Sequence, residues 1–423
     1  MVGVVIMSSI RIQGGYELSG EIKVEGAKNS AVALIPAAIL CGDKVSLKNV
    51  PNISDIEALS DILTLLDVKV NRGKNSIDID STDMHNKDIS CEFSSKLRAS
   101  YYFMGALLGK YKKVSMCFPG GCSIGERPIN LHLKGFEKLG ATIKEDDGNF
   151  VIMADKLVGD EIFLDVPSVG ATINIMLAAV LAKGRTIIDN AAMEPEIVDV
   201  ADFLNKMGAN IKGAGTPKIE IVGVEDMHGT THSVIPDRIE AGTYVIIASL
   251  LGKKLKVSGL VPRHIESLTS KLEEAGVKLK IGKSYVKVDK VGSYKAIDVK
   301  TIVYPGFPTD LQQPLIPFLT QCDGISHVEE TIYENRFMNI FDTVKMGAKI
   351  EIHDNHNATI YGKTNLIGKD VVATDLRGGA SMVICGLLAD GITTITKVEH
   401  ILRGYQDIVG KLTKVGAKIE IVD

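Results

Sequence analysis

Two kinds of segment alternate along the chain, distinguished by where their apolar residues fall. A stretch such as residues 171–183 is apolar almost all round, which predicts a helix enclosed by other elements. It runs into Gly184, where a C-terminal cap is expected, and then into a short strand, Arg185-Thr-Ile-Ile-Asp189. Beyond a loop, Ile197, Val200, Ala201, Leu204 and Met207 recur at helical spacing, which predicts a second helix with one wet face. A Gly-Ala turn then leads into an alternating strand, clearest at residues 417–422.

Two markers measure how often this pattern returns. The Gly-Ala turn recurs at Gly140, Gly208, Gly276, Gly347 and Gly416, with Asp67 in the equivalent place. The glycine expected to close the buried helix recurs at Gly42, Gly109, Gly184, Gly252, Gly324 and Gly391. Both give a period of about 70 residues, six times over. The fold class is therefore α/β, with six strand-and-helix units whose sheets wrap buried helices. Residues 224–233 are the expected hinge between two sets of three. A closed solenoid of six is the alternative that periodicity leaves open.

Composition narrows the class without changing it. The chain has 423 residues, 45% hydrophobic and 24% charged, a balance that excludes a disordered, collagenous or disulfide-scaffold protein. A net charge of -4 and a pI near 6.2 give no sign of nucleic-acid or anionic-membrane binding. No apolar run reaches the roughly 18 to 20 residues that span a bilayer. Residues 1–7 lack the cationic start of a signal peptide, so a cytoplasmic protein is expected. The cysteines (Cys41, Cys91, Cys117, Cys122, Cys322, Cys385) form no CxxC pair and the histidines are scattered. Free thiols in a reducing compartment, and no metal or other cofactor, are the expectation.

Charge adds more. Only ten of the 48 basic residues are Arg, the side chain whose planar fork grips carboxylate and phosphate. Fourteen residues before each helix-closing glycine stand Lys28, Ser95, Gly170, Arg238, Asp310 and Arg377, expected at the start of the buried helix. Thirteen before the Gly-Ala turns stand Arg127, Arg263 and Arg403, near the start of the second helix. Arg336 falls two positions later than that offset, and Arg98 three past Ser95. Any one of these arginines reads as a surface cation. As a set they oppose the helix macrodipole, and such local conflict points to function: convergent helix starts binding a small phosphate- and carboxylate-bearing substrate.

Pro119-Gly-Gly-Cys-Ser-Ile-Gly-Glu-Arg-Pro128 is the most singular stretch. Cys122 there reads either as a thiol activated by its electropositive loop or as a loop residue of no consequence. Asp310 reads as an ordinary helix cap or as a general base. His132 and His400 read as packing or hydrogen-bonding residues. The loop lacks the Lys-Ser/Thr of a phosphate-binding Walker motif, and there is no dinucleotide fingerprint.

Gly26-Ala-Lys-Asn29, Leu97-Arg-Ala-Ser100, the Cys122 loop, Ser168-Val-Gly-Ala-Thr172, Glu194-Pro-Glu-Ile-Val-Asp199, Pro308-Thr-Asp310, Glu334-Asn-Arg-Phe337, Asp375-Leu-Arg377 and Arg403-Gly-Tyr405 occur in order. From about residue 10 to the C-terminus, the chain resembles the UDP-N-acetylglucosamine 1-carboxyvinyltransferases, an enolpyruvyl transferase family. The resemblance implies an inside-out α/β barrel fold of two similar domains, each with three strand-and-helix repeats around buried helices. Residues 28–235 would form one, carrying the Cys122 loop. Residues 1–27 plus 236–423 would form the other, carrying Asp310, Arg336, Arg377 and Arg403.

The implied reaction moves the enolpyruvyl group of phosphoenolpyruvate to the 3′-hydroxyl of UDP-N-acetylglucosamine, without cofactor, metal, nucleic acid or membrane partner. By resemblance, Cys122 is the general acid and Asp310 the base. Lys28, Arg127 and Arg403 would hold the phosphate and Arg336 and Arg377 the carboxylate, with Asn29 beside them. Arg98, Arg127, Pro128, Ile129, Asn130, Leu131, Val166, Pro167, Ser168, Val169, Asp310 and Ile332 would contact the UDP-sugar. Two positions depart from some members: Val166 replaces a Lys and Tyr102 a Trp. The alternatives are the sister transferase acting on shikimate 3-phosphate, which lacks the Gly-Gly-Cys loop, and a non-catalytic paralogue.

Overall fold

The computed structural model describes residues 8–117, 129–146, 149–289 and 292–422. The chain forms two compact units and crosses between them after Glu25 and again after Ile235.

In the unit that starts at Gly26, three buried helices follow the predicted pattern: α1 (Lys28–Ala37), α2 (Tyr102–Tyr111) and α3 (Val169–Ala179). Each leads into a strand that pairs antiparallel with a hairpin. Lys44–Lys48 meets Ser76–Asp80, Lys113–Cys117 meets Asn149–Met153, and Arg185–Asp189 meets Lys218–Val222. Amphipathic helices Ser54–Leu65, Asn130–Lys138 and Pro195–Lys206 cover the remaining flank of the repeats, with wet faces such as Asp202, Asn205 and Lys206.

The expected hinge is corrected. The stretch 224–233 ends in Thr231–Ser233, which pairs parallel with Lys44–Lys48 and completes a sheet of this unit.

The other unit repeats the plan with α4 (Arg238–Leu251), α5 (Thr309–Leu319) and α6 (Leu376–Leu388), and with outer helices Glu266–Glu274, Met338–Lys345 and Ile408–Lys414. Its last repeat ends without a hairpin of its own. Ser9–Gln13 fills that place, antiparallel to both Ile392–Thr396 and Lys418–Val422. Leu18–Lys23 lies parallel to Gly252–Ser258. The N-terminal residues thus complete two sheets of the C-terminal unit.

The two glycine markers have different physical origins. All six turn positions are left-handed, from φ 62° at Asp67 to φ 109° at Gly347, so each ends a helix where Gly is strongly preferred and Asp tolerated. The other glycines are not uniformly caps. α3 ends at Ala179, well short of Gly184, and Gly252 has φ -72°. Gly109 lies inside α2, whose left-handed end falls on Lys112. A Cβ at Gly109 would stand 2.7 Å from the Leu177 carbonyl oxygen, so Gly109 serves close approach of α2 to α3.

The cysteine expectation is also corrected: Cys91 and Cys117 form a disulfide with Cα atoms 5.0 Å apart. A parallel bridge between Ile89 and Met116 lays the two segments side by side, a contact that a 26-residue separation conceals. Cys322 and Cys385 are buried thiols, and Cys41 is half-buried.

Candidate functional site

The densest cluster of charge predicted from the sequence lies in the C-terminal unit. Asp310 occupies the first turn of α5 but caps nothing, since no side-chain hydrogen bond closes that helix start. Its oxygens go elsewhere. Arg336 donates from Nη2 to Oδ1 at 2.7 Å, and Arg377 from Nη2 to Oδ2 at 3.0 Å. Both arginine side chains are buried, whereas Asp310 keeps 26% of its side chain exposed and so remains reachable.

Further contacts fix each guanidinium. Arg336 Nη1 donates to Gln313 Oε1 at 3.1 Å, and its plane lies 5.2 Å from the Tyr333 ring centre. Arg377 Nη1 donates to the Tyr405 hydroxyl at 3.2 Å, which also meets Thr243 Oγ1 at 2.9 Å. Arg403 lies two residues before Tyr405, half-buried, at the end of the short helix Glu399–Leu402. Ile332 donates its backbone N–H to Glu330.

Burial alone would push the Asp310 carboxyl up. Arg377, Arg336 and Arg238 outweigh it and hold the group well below the usual carboxylate range. Arg377 is the converse case: burial disfavours its charge, and Asp310 more than restores it. In this state the carboxylate is a poor base. Arg238, Arg336 and Arg377 converge on this one partly exposed carboxylate, while Asp237 and Asp375 lie at the helix starts behind them.

The N-terminal unit carries the other set. Lys28 opens α1 with Nζ 2.8 Å from Asp55 Oδ2, both largely buried, and Asn29 follows it half-buried. Ser30 donates to Asp199 at 2.6 Å, and Asp199 also accepts from His232 Nε2 at 2.8 Å. Ser168 caps α3 by accepting from the Ala171 N–H, with Val169 opening the helix. Pro167 precedes it half-buried, and Val166 is 57% exposed.

Ile129 is buried, while Asn130 and Leu131 begin the helix that carries His132. His132 Nδ1 accepts from the Asn174 amide, whose own oxygen takes the Gly105 N–H. Burial, reinforced by Arg98, pushes its pKa down to about 3, so the ring is neutral. A Cβ at Gly170 would stand 2.9 Å from this imidazole. The fold thus brings Arg98, His132 and the start of α3 together.

Lys28, Gly170, Arg238, Asp310 and Arg377 lie within the first two residues of their helices, as the fixed offset predicts. Ser95 does not: it ends the short helix Cys91–Ser94, and a 3-10 turn, Arg98–Tyr101, intervenes before α2. Cys122, Arg127 and Pro128 lie outside the described residues. The sequence reading missed the buried polar groups Gln313 and Asn339, and it quoted Asp375, Tyr405 and Asp199 within motifs without giving them a role. Gln312 and Gln313, polar in the middle of an otherwise apolar helix, were the available signal. Among the described residues no cluster of three or more His, Cys, Asp or Glu side chains could hold a metal ion, and no helix is long and apolar enough to cross a membrane.

Residues 12–412 match the family model described as EPSP synthase (3-phosphoshikimate 1-carboxyvinyltransferase). UDP-N-acetylglucosamine 1-carboxyvinyltransferase 2 of Listeria monocytogenes is 52% identical over 408 residues, covering 96% of each chain. UDP-N-acetylglucosamine 1-carboxyvinyltransferase 1 of Staphylococcus haemolyticus is 49% identical over 413 residues, covering 97% of this chain and 98% of the relative. Among solved structures, the enolpyruvyl transferase NikO from Streptomyces tendae superposes with a TM-score of 0.88 at 22% identity, covering 98% of this chain and 99% of NikO. EPSP synthase from Acinetobacter baumannii gives 0.75 at 18%, covering 98% of this chain and all of that one. The structures share the two-unit α/β fold, while half-identity along nearly the whole length separates the sister activities. The chain belongs to the UDP-N-acetylglucosamine 1-carboxyvinyltransferases, within the enolpyruvyl transferase family.

Proposed function

We propose that this enzyme transfers the enolpyruvyl group of phosphoenolpyruvate to the 3′-hydroxyl of UDP-N-acetylglucosamine and releases phosphate, the first committed step of peptidoglycan synthesis, in the cytoplasm. The observation that carries the reading is Asp310 held between two buried arginines, Arg336 and Arg377. Two guanidinium forks that share one carboxylate are built to accept another. When the carboxylate of phosphoenolpyruvate takes them, Asp310 loses the charges that depress it and becomes basic enough to receive a hydroxyl proton.

The steps balance as addition and elimination. Cys122 delivers its thiol proton to C3 while the sugar oxygen bonds to C2, and the hydroxyl proton passes to Asp310. The tetrahedral intermediate then breaks its C2–O bond to phosphate and gives a C3 proton back to the Cys122 thiolate, while the proton on Asp310 leaves with the phosphate. Lys28, Arg127 and Arg403 hold the departing phosphate. Arg98, the start of α3 and the residues from Ile129 to Leu131 hold the nucleotide.

Phosphate release from phosphoenolpyruvate by the purified chain tests the reading. Release is expected only when UDP-N-acetylglucosamine is added, and it should stop when Cys122 is alkylated by the epoxide fosfomycin. Release with shikimate 3-phosphate, or with no acceptor, overturns it.

A further inference from the structure

We infer that Gln313 is a positioning residue, which holds the two carboxylate-binding arginines in register while Asp310 lets them go. The inference rests on the proposed role of Arg336 and Arg377. Asp310 joins these side chains directly. Gln313, one turn further along α5 and fully buried, links them by a second route. Its Oε1 accepts from Arg336 Nη1 at 3.1 Å, and its Nε2 donates to Asp375 Oδ2 at 3.0 Å and, at a longer 3.5 Å, to Asn339 Oδ1. The other oxygen of Asp375 accepts the backbone N–H groups of Arg377 and Gly378 at 2.9 and 3.1 Å, which caps α6. Gln313 therefore ties the Arg336 fork to the helix start that carries Arg377.

The amide orientation is set by its neighbours. A guanidinium can only donate and an ionised carboxylate can only accept, so the oxygen must face Arg336 and the nitrogen Asp375. A side chain here must be an acceptor to one and a donor to the other, and Gln meets both needs at this length.

The Gln313 contact matters most in the bound state. Arg336 Nε has no hydrogen-bond partner among the described residues. Once a substrate carboxylate replaces Asp310, Gln313 is the remaining protein hydrogen bond on that guanidinium among the described residues. Arg377 keeps Tyr405. Without Gln313, Arg336 must be ordered at each binding event, and the cost appears in affinity for the anionic substrate.

Gln313→Met keeps length and burial while removing all three hydrogen bonds of the amide. In the full chain, the KM for phosphoenolpyruvate should rise about 10- to 100-fold, the worth of one hydrogen bond to a charged group. The KM for UDP-N-acetylglucosamine should stay within about twofold and kcat within about fivefold, a split that a general loss of packing would not produce. In an Arg336→Met background the same change should add less than about threefold, since the residue acts through Arg336.

Should Gln313→Met fail to fold, Gln313→Glu is the second variant. Its added carboxylate competes for Arg336, so the phosphoenolpyruvate KM should rise and then fall again on acidification, a trend absent from the parent. An unchanged phosphoenolpyruvate KM in a folded Gln313 variant overturns the inference, as does an equal rise in both KM values or full additivity with Arg336→Met. If Arg336→Met itself leaves that KM unchanged, the proposed carboxylate site fails and takes the inference with it. If Arg336→Met raises it and Gln313→Met does not, the role of Gln313 alone is refuted.

Discussion

Asp310→Asn separates the two jobs proposed for one carboxylate. The substitution keeps side-chain shape and removes the charge shared by Arg336 and Arg377 at 2.7 and 3.0 Å. At an effective dielectric of about 20, each such pair is worth about 4 kcal/mol at ~4 Å. Solvent reaching the exposed quarter of the side chain screens part of that. If about 1.4 kcal/mol survives as competition with an incoming carboxylate, its removal tightens phosphoenolpyruvate binding about tenfold. Loss of the base acts in the opposite sense on turnover, by about 10²- to 10⁴-fold in kcat. Calorimetric titration of phosphoenolpyruvate into resting enzyme measures the first effect, and phosphate release measures the second. Tighter binding with slower turnover is the expected pair. Weaker binding would mean that Asp310 organises the arginines instead of competing for them, and unchanged kcat would remove it as the base.

Three further outcomes follow from a buried carboxyl, a buried hydrogen-bond network and the disulfide. Burial, partly offset by Lys411, raises the Glu240 carboxyl to about 7; Lys411, Asp237 and Glu25 are the charged groups around it. The folded state thus keeps a proton that the unfolded chain releases near 4.5, so this contribution to stability is full below about 4.5 and is lost as pH rises through 7. Melting temperatures between pH 5 and 8 should show that decline in the parent and a flatter profile in Glu240→Gln; equal slopes refute it. Asp199→Ala leaves Ser30 and His232 without their buried acceptor and should cost about 3 to 5 kcal/mol, read from denaturant unfolding of the N-terminal unit. A loss below about 1 kcal/mol would refute that network. Cys91 and Cys117 should resist maleimide until a reductant is added, and their reduction should cost about 3 kcal/mol of stability; immediate labelling of both refutes the pairing.

What the sequence made legible was what repeats locally. The left-handed turn at Asp67 and the five Gly-Ala positions returns because each repeat must reverse after an amphipathic helix, and that need falls on a single residue. The all-round apolar helices were legible because burial is recorded residue by residue. Partners across the fold were not. Gln313 and Asp375 are 62 residues apart, and nothing local in either says which polar group it meets. Ser95 was misplaced because the second repeat inserts a short helix and a 3-10 turn, which breaks a fixed offset.

The arginines near helix starts, the anomaly that first suggested anion binding, take on a different physical meaning once the caps are known. At α4 and α6 the N-terminal N–H groups are already engaged, by Asp237 and Asp375, and at α3 by Ser168. Those dipoles are spent on acidic or hydroxyl caps, which also offset the cost of placing Arg238 and Arg377 beside them. The helix ends there are thus not free for an anion; they aim guanidinium groups, of which Arg377 is proposed to bind it. α1 and α5 differ, with no side-chain cap at either start, and they carry Lys28 and Asp310, residues proposed to touch the departing phosphate and the attacking hydroxyl. The repeat thus supplies one frame with two uses. At α4 and α6 a capped start places an arginine beside Asp310, whereas the uncapped starts of α1 and α5 carry residues whose ion pairs are proposed to change during the reaction.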